Sequence, residues 1–120
     1  MPSIQLFSDT TPTPEYDFPR PERLVTGNPQ RTTWHHFTND SGEVFMGIWA
    51  SEEGAWRIEM GLTEDEYFYV ISGHGQLIAE TGEVREFIAG DAVIIPAGFK
   101  GTFRVIEKLT KHYVITARKG

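Results

Sequence analysis

Residues 90–101 read GDAVIIPAGFKG. The stretch opens on a Gly-Asp turn signal, runs through the apolar residues 92–95, and closes on Pro96, Gly98 and Gly101. A short apolar run between Gly, Asp and Pro reads as a strand between two turns. The same grammar repeats outward from it through most of the chain.

From Thr32 onward the strand-like runs are TTWHHF, EVFMGIWA, AWRIEM, EYFYVIS, QLIAE, VREFIA, AVIIP, TFRVIE and KHYVIT. Between them stand the turn signals NDSG, SEEG, GLTED, GHG, TGE, GD, AGFKG and KLT. Strands recurring about every 8–12 residues with such punctuation indicate an all-β sandwich or barrel. No window holds a helical period. Nine short strands around one core suit a jelly-roll β-barrel with little or no helix.

The 120 residues suit one domain with one core, and 39% are hydrophobic, including eight Phe, four Tyr and three Trp. Cysteine is absent, which excludes disulfides, thiolate zinc sites and cysteine nucleophiles. Any metal has to be held by His, Asp, Glu or weaker oxygen ligands. The formal charge of −6 offers no clustered basic face for nucleic acid. The opening MPSIQLFSDTTPTP lacks a basic stretch followed by an apolar one, so no signal peptide is expected. No segment approaches the roughly 20 apolar residues that span a bilayer. These readings point to a cytoplasmic protein with neither a nucleic-acid nor a membrane partner.

Six of the seven prolines precede residue 30. Proline fixes φ and lacks an N–H, so residues 1–31 are expected to form an extended arm with at most short edge pairing. A single barrel is expected over 32–120. Tyr16, Phe18, Leu24 and Val25 give the arm apolar groups to dock on the body or on a second subunit.

GDAVIIPAGF, with EYFYVISG (66–73) upstream, resembles the two-motif signature of the cupin superfamily, whose members are small jelly-roll barrels that often hold a divalent metal. TGNP (26–29), Trp34, GIW (47–49), GFKGTF (98–103) and KHYVI (111–115) make the chain similar, more narrowly, to the single-domain cupins related to ureidoglycine aminohydrolase. The resemblance implies four metal-ligand places. Glu66 and Gly73 match the end of the first motif. Its histidine pair falls at Met60 and Leu62, or at Glu59 and Gly61, and the second-motif histidine falls at Gly101. The usual set is therefore missing. A rebuilt site would need Glu59 and Glu66 with His36 or His112, and a divalent metal held there is the one cofactor left open.

His35 and His36 are neighbours on a strand, so they face opposite ways, with His36 on the face of Trp34. His74 lies in a turn signal. His112 suits a packed, hydrogen-bonded ring or a ligand.

Strand parity outlines an interior. With Glu66 inward, as the resemblance implies, Phe68 and Val70 follow, while Tyr67, Tyr69 and Ile71 face out. Gly101, Phe103 and Val105 form a second inward set. Gly101 either opens space for a ligand in an aromatic-lined mouth or serves a turn. Trp49 and Trp56 either line that pocket or fill the core.

Glu66 is the candidate general acid or base, because a carboxylate in an apolar barrel must be paired, hydrogen-bonded or protonated. Glu59 is expected beside it in the pocket. Arg57 shares the parity of Glu59 and is a candidate partner for it. Lys111 resembles a lysine common near the family's last strand, with a role the sequence does not define.

Three functions compete. One is a metabolite-binding cupin with a degenerate metal motif, taking a small polar ligand in the barrel. Another is a divalent-metal-dependent enzyme acting on a small ureide or other nitrogenous substrate. The third is a non-catalytic sensory or structural domain. The apolar outward set Tyr67, Tyr69 and Ile71 points to a homodimer.

Overall fold

The computed structural model describes residues 2–119. Nine strands form one curled sheet: β1 (Glu15–Asp17), β2 (Leu24–Thr26), β3 (Arg31–Thr38), β4 (Val44–Ser51), β5 (Gly54–Glu59), β6 (Glu64–Ala79), β7 (Val84–Ile88), β8 (Ala92–Ile95) and β9 (Lys100–Ala117). Two single-turn 3₁₀ segments, Phe7–Asp9 and Pro21–Arg23, lie in the arm. All pairings are antiparallel.

The long strands β6 and β9 form the spine, paired from Glu64↔Ala117 to Ala79↔Gly101. β4 and β8 flank one half of this pair, while β5 and β7 flank the other. Register shifts between Val70 and Gly75 separate the halves. Bulges increase local twist and bend a strand, so the two halves fold over one another at this corner. The apolar faces meet inside as Trp56, Phe68, Val70, Leu77, Phe87, Ile95, Phe103, Val105, Leu109 and Tyr113.

Nine strands are present, but they are partitioned differently from the sequence reading. GHG and KLT do not reverse the chain. EYFYVIS and QLIAE are both within β6, and TFRVIE and KHYVIT are both within β9. In GHG glycine supplies a bend within a continuing ladder rather than a hairpin end, and KLT lies opposite that bend on β9. The two remaining strands come from the arm, where β1 pairs with the start of β3 and β2 with β5. Pro29 is buried as the chain enters the barrel.

Candidate functional site

Between the folded halves lies a 240 Å³ cavity. Its aromatic wall is Trp49 from β4, Trp56 from β5 and Phe103 from β9, with ring centroids 5.3–6.1 Å apart. The polar groups are Glu66 from β6, Arg31 and Thr33 from β3, and Lys111 and Tyr113 from β9. Along β9 positions 101, 103, 105, 109, 111 and 113 are all buried, and Glu107, at the corner, is the exposed exception in that parity. That parity turns a lysine and a tyrosine into an otherwise apolar interior.

Lys111 Nζ donates to Glu66 Oε2 at 2.6 Å. The two side chains are 6% and 13% exposed. The ammonium also lies over the rings of Phe68 (4.1 Å), Trp49 (4.6 Å) and Phe103 (5.2 Å). Aromatic faces are negative, so three of them stabilise a cation that burial would otherwise disfavour. The carboxylate supplies the opposite charge, and together they make a buried pair tolerable.

Tyr113 is the second polar group on this strand. Gly47 separates it from His35 in the register His35↔Gly47↔Tyr113. A Cβ at Gly47 would stand 2.6 Å from the Tyr113 oxygen, so only glycine lets the phenol cross β4. Crossing it, the hydroxyl meets His35 Nδ1 at 2.8 Å, and His35 Nε2 meets Thr38 Oγ1 at 2.6 Å. Burial pushes the Tyr113 pKa upward, reinforced by the negative charges of Glu66 and Glu15. The phenol therefore stays protonated across the neutral range. The His35 tautomer sets its role. With Nδ1 accepting, Tyr113 offers lone pairs to the cavity; with Nδ1 protonated, Tyr113 offers its O–H.

Arg31 completes the polar set. Its Nε and Nη2 donate to Asp17 Oδ1 and Oδ2 at 2.9 and 2.8 Å, a two-point grip that ties the arm to β3. The guanidinium lies 5.2 Å from the Trp56 ring centroid.

The residues singled out in the sequence divide into three groups. Glu66, Trp49, Trp56 and Phe103 border the cavity, and Phe68 is buried behind it, in contact with the Lys111 ammonium. Tyr67, Tyr69 and Ile71 are exposed on the outer face. Glu59 requires correction. It pairs with Lys100, 3.7 Å away on the outer surface, because Ile58 and Met60 take the inward places on either side. Arg57, also outward, meets Glu80 rather than Glu59, at 3.5 Å.

Gly101 opens no ligand space. A Cβ there would collide with the Ile78 carbonyl and lie 2.9 Å from the Phe99 ring. Close approach of strands and an aromatic ring explains this glycine, and neither a pocket nor a turn does.

His36 and His112 also lie elsewhere. His36 stacks on Phe7 of the arm, centroids 4.2 Å apart and nearly parallel, and His112 meets the same ring edge-on. Both rings are thus on the outer face of the sheet. His35, not His36, faces Tyr113.

The rebuilt metal site of Glu59 and Glu66 with His36 or His112 therefore does not assemble. Glu66 accepts from Lys111, Glu59 faces outward, and both imidazoles sit on the opposite side of the sheet. Among the described residues no cluster of three His, Asp or Glu side chains is placed to hold a metal. Here the donor set does not fit the divalent metal that the fold commonly holds.

Lys111, Tyr113, Arg31 and His35 were not assigned to the site from sequence. Treating KLT as a turn interrupts the parity that runs from Gly101 to Tyr113. Counting through it would have placed Lys111 and Tyr113 inside.

No helix of the described residues is long and apolar enough to cross a membrane. Comparison with known proteins agrees with the jelly-roll architecture. Clostridium difficile EutQ matches with 28% identity and a TM-score of 0.66, covering 79% of this chain and 75% of that one. A DUF861-family protein from Pseudomonas syringae pv. tomato shares the fold at 23% identity and TM-score 0.76, over 87% of this chain and 43% of that one. A putative ethanolamine utilization protein Q from Salmonella typhimurium LT2 shares it at 18% identity and TM-score 0.66, over 92% and 100%. No curated relative matches the chain. The EutQ-like cupin domain family matches residues 38–113, which hold the Tyr113–Gly47 crossing and the Lys111–Glu66 pair, and the chain belongs to that family.

Proposed function

We propose that this protein is a small-molecule-binding cupin that holds a small polar metabolite inside its barrel. The observation that carries the reading is the Lys111–Glu66 pair at 2.6 Å on the wall of a 240 Å³ cavity. A barrel needing only stability has no use for this pair, since apolar replacements of similar volume are often neutral or stabilising. Convergent polar groups in an apolar cavity are the usual marks of a ligand site. They favour this reading over a structural domain without a ligand.

The narrower likeness to ureidoglycine aminohydrolase rests on sequence motifs. The donors beside Glu66 do not favour metal-dependent hydrolysis of a ureide, and no step is assigned through a metal. Glu66 remains the group able to exchange a proton with a ligand, and Tyr113, held protonated, can orient one.

A thermal-shift screen of small polar metabolites tests the binding function. A binder should raise Tm with concentration, and Glu66→Gln should abolish or weaken that rise. Unchanged binding in Glu66→Gln would remove Glu66 from the site.

A homodimer is part of the proposal. The arm touches the outer face at Phe7, beside His36 and His112, and leaves Tyr67, Tyr69, Ile71 and Ile94 exposed. A second copy of the chain would cover this apolar face. Sedimentation at micromolar concentration should give a dimer, and a monomer there would refute it. A cytoplasmic location is proposed from the absence of cysteine.

A further inference from the structure

We propose that Lys111 is the built-in cation of this cavity and that the site takes a small monocarboxylate, an assignment that rests on the cavity being a ligand site. An ammonium carries three N–H donors. Lys111 gives one to Glu66, and its other near neighbours are the rings of Phe68, Trp49 and Phe103. Ring faces attract the charge but accept N–H groups only weakly. Hydrogen-bonding capacity therefore remains on a buried cation, and a carboxylate oxygen is the acceptor that completes it most strongly.

Charge limits the ligand to a low charge. Arg31, Lys111 and Glu66 are the charged residues on the cavity wall; Arg31 is paired with Asp17 and Lys111 with Glu66, so the two cations stand beside two carboxylates and the set is neutral. A single carboxylate adds one negative charge, shared between the spare donors of Lys111 and the nearby Arg31. A phosphate dianion would bring twice that charge among Trp49, Trp56 and Phe103, and an ammonium ligand would find Asp17 and Glu66 already engaged by Arg31 and Lys111. Tyr113, held protonated, can add a donor to the second carboxylate oxygen in one His35 tautomer. The 240 Å³ volume falls below the ~300–1,000 Å³ of sites for drug-sized molecules, so the body of the ligand is short or a single flat ring.

The test uses the full chain and acetate, butyrate and benzoate, each beside its neutral amide, with inorganic phosphate as a further probe. The readout is the set of three tryptophan indole N–H resonances. Trp49 and Trp56 line the cavity, while Trp34, outside that lining, serves as an internal control.

At least one carboxylate should shift Trp49 and Trp56 while leaving Trp34 in place, and should bind about tenfold or more tightly than its amide. The double variant Lys111→Met/Glu66→Gln, which leaves no unpaired charge, should lose about tenfold or more. Lys100→Ala, which removes an exposed lysine bound to Glu59, should change nothing.

Amides binding as tightly as carboxylates, phosphate binding more tightly, or full carboxylate affinity in the double variant would overturn the carboxylate assignment. The binding function would survive those outcomes. If neither these probes nor any metabolite in the screen moved Trp49 and Trp56, both would fall.

Discussion

Replacing Lys111 with methionine removes the ammonium but preserves most of the side-chain volume. The carboxylate of Glu66, 13% exposed, is then left among aromatic faces without its 2.6 Å partner. Removing one member of a buried pair typically costs about 3–5 kcal/mol, most of it from the uncompensated charge. At about 4 °C per kcal/mol for a chain of this length, Tm should fall by about 12–20 °C. The same lysine gives up its three ring contacts, which places the expected cost in the upper part of that range. Glu66→Gln in the same background removes the stranded charge, so Lys111→Met/Glu66→Gln should recover most of the loss. Thermal and urea unfolding at pH 7, followed by circular dichroism, measures all three proteins. The reasoning is refuted if Lys111→Met lies within about 1 kcal/mol of the parent, or if the double variant is as unstable as the single one.

Three further predictions concern other parts of the fold. Gly101→Ala should destabilise by about 1–3 kcal/mol, because the new methyl meets the Ile78 carbonyl and the Phe99 ring; a neutral result would restore Gly101 as open space. Asp65 accepts from the Ala97 N–H and from Arg118, and these bonds lower its pKa from the usual 3.8. Its stabilising contribution is thus present above pH 3.8 and disappears as pH falls through the lowered folded value, so carboxyl NMR should show Asp65 titrating below 3.8, and Asp65→Asn should flatten that part of the acid unfolding curve. Burial, aided by His112 and His35, lowers the His36 pKa from 6.5; native stability from this ring is present above 6.5 and lost as pH falls through the lowered value. Phe7→Ala uncovers the ring and should raise its NMR titration midpoint toward 6.5, whereas an unchanged midpoint would show that the stack with Phe7 does not bury His36.

Much of the fold was legible because alternation and turn chemistry are local. GDAVIIPAGF and the runs around it identified an all-β cupin, and the parity of EYFYVI correctly separated Phe68 and Val70 from Tyr67, Tyr69 and Ile71. Local signals misread GHG, since a glycine at a sheet corner and a glycine at a hairpin end look alike in one dimension, and KLT, where a break between two strand-like runs looks the same at a corner as at a turn. Only the β6–β9 ladder distinguishes them, and it joins residues as far apart in sequence as Glu64 and Ala117. That one misreading reset the parity of the last strand and hid Lys111 and Tyr113. Glu59 was lost for a related reason: the motif spacing allowed two registers, and the pairing Ile58↔Gly101 selects the one that turns Glu59 toward Lys100.

By itself, the sequence determined the all-β architecture and the absence of thiol chemistry, because composition and a two-residue period suffice for these, while the inward turn of Glu66 came from the motif resemblance. The tertiary structure decided what Glu66 faces. Its partner comes from 45 positions away, across a ladder whose register no local pattern encodes. In place of a metal, that ladder sets an ammonium among three aromatic rings, and the chemistry of the cavity follows from that cation.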